Sequence, residues 1–276
     1  MQLPANEVQH IYLRRKSPLL SVVKPQETPA AVILGGQPAC GKSGVANVVN
    51  VKNDHLVING DDYRRYHPDA KYLISHLPEE FPTITQNFSN IFTENLITDG
   101  SALRYNLIIE GTMRNPNVPA KTAALLRKQG YRVGAAVIAA HPKITELGTY
   151  RRYVEQVESY GSGRLADIDS HNQACAGLLT SIDALYADKV VDFINVYSYQ
   201  AKKLLQAYEL TGGEWDVKIP PSHVISEERT AQIEDVTFVQ QHVAMGMEAL
   251  DKLPASPIKA AAQAVVEQLR QLNTPL

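Results

Sequence analysis

The segment Gly36-Gln37-Pro38-Ala39-Cys40-Gly41-Lys42-Ser43 fits the pattern G-x-x-x-x-G-K-[ST], with an apolar run just before it and a helical pattern just after. In that context the glycines let the chain fold back, so that successive backbone N–H groups face phosphate oxygens at the positive end of the following helix. Lys42 is then placed to reach β- and γ-phosphates, and the Ser43 hydroxyl to ligate Mg²⁺. Nucleotide phosphate binding is the expected chemistry. The reaction stays open, because a hydrolase activates water whereas a kinase needs a carboxylate beside an acceptor hydroxyl.

Ligands of parallel sheets lie beyond the carboxyl ends of the strands, so the residues that follow each apolar run carry the next clue. The run His55–Asn59 leads into Gly60-Asp61-Asp62-Tyr63-Arg64, and the run from Asn106 to Ile109 leads into Glu110-Gly111-Thr112-Met113-Arg114. Asp61 is a candidate general base, with Asp62 its rival by adjacency; either also suits the first turn of a helix. Glu110 stands where an acid can serve metal or substrate, and Thr112 and Arg114 suit polar or anionic parts of an acceptor. Arg152 and Arg164 are candidates for a cationic lid over a transferring phosphoryl group. Arg151 has Glu155 four residues on and reads as structural.

These residues need an alternating scaffold, and the hydrophobic pattern supplies one. Helices are expected over Glu7–Lys16, Lys42–Val51, Thr83–Leu103, Lys121–Gln129, 143–160 and 171–188, and strands over Ala31–Leu34, His55–Asn59, Asn106–Glu110, Tyr131–Ala139 and Val190–Tyr197. Gly161-Ser162-Gly163 reads as a break. Strands that are continuously apolar are buried on both sides, so the fold expected is α/β: a parallel sheet with helices on both faces. Residues 1–29 read as a helix and Pro-punctuated linker, 30–212 as the core, and 213–276 as a helical extension with helices over Glu227–Leu253 and Ile258–Leu272.

Composition excludes several classes. The chain has 276 residues, 44% hydrophobic and 20% charged, with a net charge of −2 and two cysteines. It is long enough for a sizeable core and carries no overall basic field for nucleic acid or anionic lipid. Cys40 and Cys175 lack Cys/His companions at zinc spacing, and the helix N-terminus expected beside Cys40 leaves open a lowered thiol pKa and sensitivity to oxidation there. No apolar run approaches membrane-spanning length and no secretory leader is evident, so a cytoplasmic protein without membrane association is expected.

The ordered motifs resemble one family, the zeta toxins of epsilon/zeta toxin–antitoxin systems. The resemblance spans roughly residues 31 to 200. It runs through Gly36–Ser43, Val57–Tyr63 with His67-Pro68, Phe88-Ser89-Asn90 with Glu94, Glu110–Arg114 with Val118-Pro119, Pro142-Lys143-Ile144, Leu147-Gly148-Thr149, Arg152-Tyr153 and Arg164. It implies a P-loop kinase that uses ATP and Mg²⁺ to phosphorylate the 3′-hydroxyl of the amino sugar of UDP-N-acetylglucosamine, blocking cell-wall synthesis. By the same resemblance Lys42 and Ser43 bind ATP and Mg²⁺, and Asp61 rather than Asp62 is the base. Glu94, Glu110, Thr112 and Arg114 hold the UDP-sugar, while Arg152 and Arg164 clamp the ATP phosphates. The partner it implies is an epsilon-type antitoxin, with inhibition by residues 1–29 as the in-chain alternative. Two other readings fit the residues: a P-loop kinase of another hydroxyl (a different UDP-sugar, an antibiotic or a nucleoside), and a nucleotide-binding regulatory module.

Overall fold

In the computed structural model, which describes residues 2–78, 80–161 and 163–272, the chain runs through α1 (Ala5–Leu20), β1 (Ala30–Gly35), α2 (Lys42–Val49), β2 (His55–Asn59), α3 (Gly60–Tyr63), α4 (Ala70–His76), α5 (Phe81–Ile84), α6 (Gln86–Ala102) and β3 (Asn106–Glu110). It continues through α7 (Asn117–Lys128), β4 (Arg132–Ala139), α8 (Pro142–Tyr160), α9 (Ile168–Ala187), β5 (Phe193–Ser198), β6 (Leu204–Thr211), β7 (Glu214–Trp215), α10 (Pro221–Glu234), α11 (Val236–Lys252) and α12 (Pro257–Leu272). The sheet order is β2-β3-β1-β4-β5-β6-β7. Its first five strands are parallel and β6 and β7 are antiparallel. The α/β architecture expected from the alternating pattern is what the chain adopts.

Side chains of a strand alternate between faces, and that alternation divides the core. Ile33, Ile58, Leu107, Ile109 and Val133 pack with Phe92 and Leu96 of α6 and with Leu178 and Ile182 of α9. Val32, Leu34, Ile108, Ala136 and Ile138 face the other way, onto Val45 of α2, Ile144 and Leu147 of α8, and Val265 and Leu269 of α12. Among the described residues no helix is long and apolar enough to cross a membrane.

Several elements differ from expectation. Helix α1 continues past Lys16 through Pro18 to Leu20, because a proline removes one N–H yet tolerates helical φ near a helix end. The helix expected over Glu227–Leu253 is two helices. Asp235 stands between α10 and α11 in an extended conformation, and its carboxylate accepts the Phe238 N–H at 3.0 Å, starting a new helix. The antiparallel hairpin of β6 and β7 was not anticipated. It brings Trp215 into the core, with its indole N–H donating to Tyr186 O at 2.8 Å. In the expected Gly161-Ser162-Gly163 break, Ser162 lies outside the described residues.

The N-terminal helix lies on α6. Tyr12 is buried against Phe92, and its hydroxyl donates to Asp99 Oδ2 at 2.7 Å, the same oxygen that Lys16 Nζ reaches at 2.8 Å.

Candidate active site

Register brings the predicted residues to one edge. Glu110 of β3 pairs with Leu34 of β1 on one side and Asn59 of β2 on the other, so the phosphate loop, Glu110 and Asp61 leave three neighbouring strand ends.

The loop that follows β1 turns through Ala39 and Gly41, with φ of 62° and 100°, before α2 begins at Lys42. Gly41 is required twice over. Its φ is left-handed, and a Cβ there would stand 2.6 Å from Gln200 Cα. Gln200 closes the floor of the loop, donating its N–H to Cys40 O at 3.1 Å from a turn in which Gln200 and Ala201 both have positive φ. Lys42 Nζ folds back onto the loop, donating to Gly36 O at 2.8 Å and Gln37 O at 3.2 Å. Its ammonium thus stands over a ring of backbone groups at a helix N-terminus, the geometry suited to phosphate. Ser43 is exposed in the first turn of α2. The Cys40 thiol is fully buried, and burial pushes its pKa up against the opposing pull of Lys42, so the lowered value considered from sequence does not arise.

Asp61 sits where β2 ends. Asn59 Oδ1 accepts the Asp61 N–H at 3.1 Å, and Ser89 of α6 holds the preceding carbonyl, donating to Gly60 O at 2.6 Å. Both carboxylate oxygens meet cations: Arg64 Nε at 2.8 Å from Oδ1 and Arg164 Nη1 at 2.9 Å from Oδ2. Partial burial would raise its pKa, but Arg164 and then Arg64 outweigh this and bring it down to about 2. Held this way Asp61 is ionised and a weak proton acceptor; releasing Arg164 would strengthen it. Asp62 is raised instead, by burial first, with Arg65 opposing. Glu110 is likewise raised, by burial first, with Lys42 opposing and Asp62 and Asp61 adding to the rise.

The lid candidates come from α8 and the turn that follows it. Arg164 N donates to Gln156 Oε1 at 2.8 Å, which ties the turn back to the helix that carries Arg152. The Nε atoms of both Arg152 and Arg164 are buried and have no hydrogen-bond partner among the described residues. Two guanidinium groups with unused N–H groups beside an ionised carboxylate form a site that an incoming anion would complete. Arg151 pairs with Glu155 at 3.9 Å.

Thr112 and Arg114 follow β3 in a segment held by α9. Ser181 Oγ donates to Met113 O at 2.6 Å, fixing a residue with φ of 51°. A Cβ on Gly177 would run into the Arg114 carbonyl, so only glycine allows α9 this close. Arg114 is exposed and reaches Ser170 Oγ at 3.5 Å. Glu94 is exposed on α6, and among the described residues its side chain makes no ion pair or hydrogen bond. Asp61, Arg152, Arg164, Glu110 and Lys42 therefore interact electrostatically as one cluster, whereas among the described residues no contact ties Glu94 or Arg114 to it.

Sequence reasoning gave no role to Arg64 and Ser89, although both lie in segments it singled out, and it missed Gln156 and Gln200. Arg64 carried a readable signal, the three-residue spacing from Asp61 at a helix entry. Gln156 acts across eight residues to Arg164, and Ser89 and Gln200 act through contacts farther apart in the chain.

A family model described as Zeta toxin matches residues 17–209. Toxin PezT of Streptococcus pneumoniae is 30% identical over 215 residues, spanning 77% of this chain and 85% of that protein. Toxin zeta of Enterococcus hirae is 31% identical over 190 residues, spanning 67% of this chain and 66% of that protein. A solved structure from the PezAT chromosomal toxin-antitoxin system of Streptococcus pneumoniae superposes with a TM-score of 0.77 at 25% identity, covering 93% of this chain and 100% of that one. A structure of the AvrRxo1-ORF1:-ORF2 complex shares the fold, with a TM-score of 0.63 at 15% identity over 96% of this chain and 89% of that one.

Proposed function

The chain belongs to the zeta toxin family, and from that membership and the geometry of the strand-end cluster we propose that it is a toxin kinase that transfers the γ-phosphoryl group of ATP to the 3′-hydroxyl of the amino sugar of UDP-N-acetylglucosamine. The observation that carries the reading is Asp61, a carboxylate held between Arg64 and Arg164 at the end of β2, on the same sheet edge as the phosphate loop and one strand removed from it.

In this reading the N–H groups of Gly36–Ser43 and the Lys42 ammonium take the β- and γ-phosphates. Arg164 exchanges Asp61 for the γ-phosphate, and Arg152 joins it there, so that both neutralise charge on the transferring oxygens. That exchange removes one of the two cations from Asp61 and raises its basicity as the acceptor arrives. Asp61 receives the hydroxyl proton, the sugar oxygen bonds to the γ-phosphorus, and the bond from that phosphorus to the bridging oxygen breaks to leave ADP. Glu94, Glu110, Thr112 and Arg114 hold the UDP-sugar. Among the described residues no group of three or more His, Cys, Asp or Glu could hold a metal. Ser43 is the residue that would hold a Mg²⁺ ion there together with phosphate oxygens and waters, and the ion would neutralise phosphate charge.

Residues 30–212 form the kinase core in this reading, with 1–29 bracing it through α6 and 213–276 extending it. The substrates place the activity in the cytoplasm. A protein antitoxin of the epsilon kind is the proposed partner, supported by the toxin–antitoxin system from which the matching structure comes.

Incubation with ATP, Mg²⁺ and UDP-N-acetylglucosamine, read by mass spectrometry, is expected to give a sugar nucleotide heavier by one phosphoryl group. A product only with another UDP-sugar, an antibiotic or a nucleoside would move the substrate. ATP binding with no product on any acceptor would point to the regulatory module.

A further inference from the structure

Helix α10 lies beyond the residues that the family model matches, yet it is bonded to the support of the phosphate loop. Arg229 and Gln232, on its inner face, are only 9% and 5% exposed. Gln232 Nε2 donates to Ala139 O at 2.9 Å while its Oε1 accepts the His141 N–H at 2.8 Å, so one side chain clamps the carboxyl end of β4. Arg229 Nε donates to Ala140 O at 3.0 Å, and its two terminal nitrogens to Cys175 O, each at 3.2 Å.

The Ala140 carbonyl has a second donor from the phosphate loop itself. Gln37 is fully buried, and its Nε2 reaches Ala140 O at 2.8 Å and Thr145 Oγ1 at 3.3 Å. Its Oε1 is buried with no partner among the described residues, so Nε2 alone anchors this side chain. The main-chain carbonyl of Gln37 accepts the Lys42 ammonium at 3.2 Å. A continuous path therefore runs from α10 through Ala140 and Gln37 to the phosphate-binding lysine.

Arg229 is an unusual investment for mere attachment. Among the described residues no carboxylate pairs with it, and a buried cation bonded only to carbonyls contributes little net stability relative to an apolar side chain of similar size. We propose that Arg229 and Gln232 are positioning residues for ATP binding: they fix the Ala139 and Ala140 carbonyls on which Gln37 is anchored, and so hold the Gly36–Lys42 turn in its phosphate-accepting shape. The inference rests on the reading of that loop as the ATP site.

The test is calorimetric titration of the full-length chain with ATP and Mg²⁺, and separately with UDP-N-acetylglucosamine, alongside thermal unfolding. Arg229→Met removes the buried charge while Ala140 O keeps Gln37 as a donor and Cys175 O stays within α9. ATP affinity is expected to fall by about tenfold with affinity for the UDP-sugar unchanged and little loss of thermal stability. Gln37→Leu is expected to lose a similar factor, and the double variant no more than either alone, since both cut one path. Arg229→Lys, which keeps the charge without the fork, should fall between and serves if the methionine variant fails to fold. Unchanged ATP affinity in the Arg229 variants, equal losses for both ligands, or losses in the double variant that add in full would overturn the proposal. ATP failing to bind the unaltered chain would overturn the phosphate-site reading and this inference with it. ATP binding with the expected coupling but no sugar phosphorylation would leave the inference standing and refute only the assigned acceptor.

Discussion

Replacing Arg64 by Met isolates the group that holds the proposed base. Arg64 is 5% exposed and makes four hydrogen bonds: to Asp61 Oδ1 at 2.8 Å, Pro82 O at 2.6 Å, Thr85 Oγ1 at 3.0 Å and Gln86 Oε1 at 2.8 Å. Its guanidinium thus ties Asp61 to the α5–α6 corner, and burial lowers its own pKa while Asp61 opposes that shift. Breaking a fully buried pair costs about 3–5 kcal/mol. The Asp61 side chain is 51% exposed and rehydrates when its partner leaves, which limits that part to at most about 1 kcal/mol. Met keeps the apolar stem packed, and the desolvation cost of the cation is recovered, so the net loss is about 2–3 kcal/mol. For a chain of this size that is a fall of about 5 °C in Tm. Trp215, the single tryptophan, is buried on β7 and reports urea unfolding by fluorescence. Turnover should drop by about tenfold or more, because Asp61 then has one anchor in place of two. An Arg64→Met chain with the urea midpoint and turnover of the unaltered one would refute the reasoning.

The His141 imidazole is pushed down to about 4, by burial first and then by Arg229 and Lys143. A folded value below the unfolded one of about 6.5 means that its stability is complete above that pH and lost as pH falls towards 4, so the urea midpoint should fall between pH 7 and 5 by about 1–2 kcal/mol equivalent. His141→Asn, which can still accept the Lys143 N–H now held at 3.2 Å, should shrink that fall; an equal fall in both chains would contradict the assignment. Tyr12→Phe keeps the ring on Phe92 but loses the bond to Asp99, and should cost about 1–2 kcal/mol in urea unfolding. Removal of residues 1–20 should lower Tm; a faster kinase at unchanged Tm would instead make this segment an inhibitor. Gly177→Ala should push the Arg114 segment away from α9, raising KM for the UDP-sugar while ATP affinity holds, and equal changes in both would argue against an acceptor role for that segment.

The phosphate loop was legible because a short local string and its strand–helix context dictate the backbone. The strand-end rule then pointed to Asp61 and Glu110, and the register sets Glu110 between Leu34 and Asn59 at the end of the strand next to the loop. What stayed hidden depends on contacts far apart in the chain. The pairing of Asp61 with Arg164 links positions about a hundred residues apart, and nothing local in Tyr199-Gln200-Ala201 marks it as the floor of the loop. The break at Asp235 carried a cap signal, Asp235 three residues before Phe238, but the apolar periodicity continued across it and masked it. The hairpin of β6 and β7 has mixed burial along its length, so it lacked the continuous apolar run that revealed the parallel strands.

The most direct measurement is single-turnover phosphoryl transfer by Asp61→Asn with ATP, Mg²⁺ and UDP-N-acetylglucosamine, paired with its ATP affinity. Loss of the base should slow transfer by about a hundredfold or more, while ATP binds at least as tightly because Arg164 is released from its carboxylate partner. Transfer to the sugar at the unaltered rate in Asp61→Asn would contradict the assignment of Asp61 as the base.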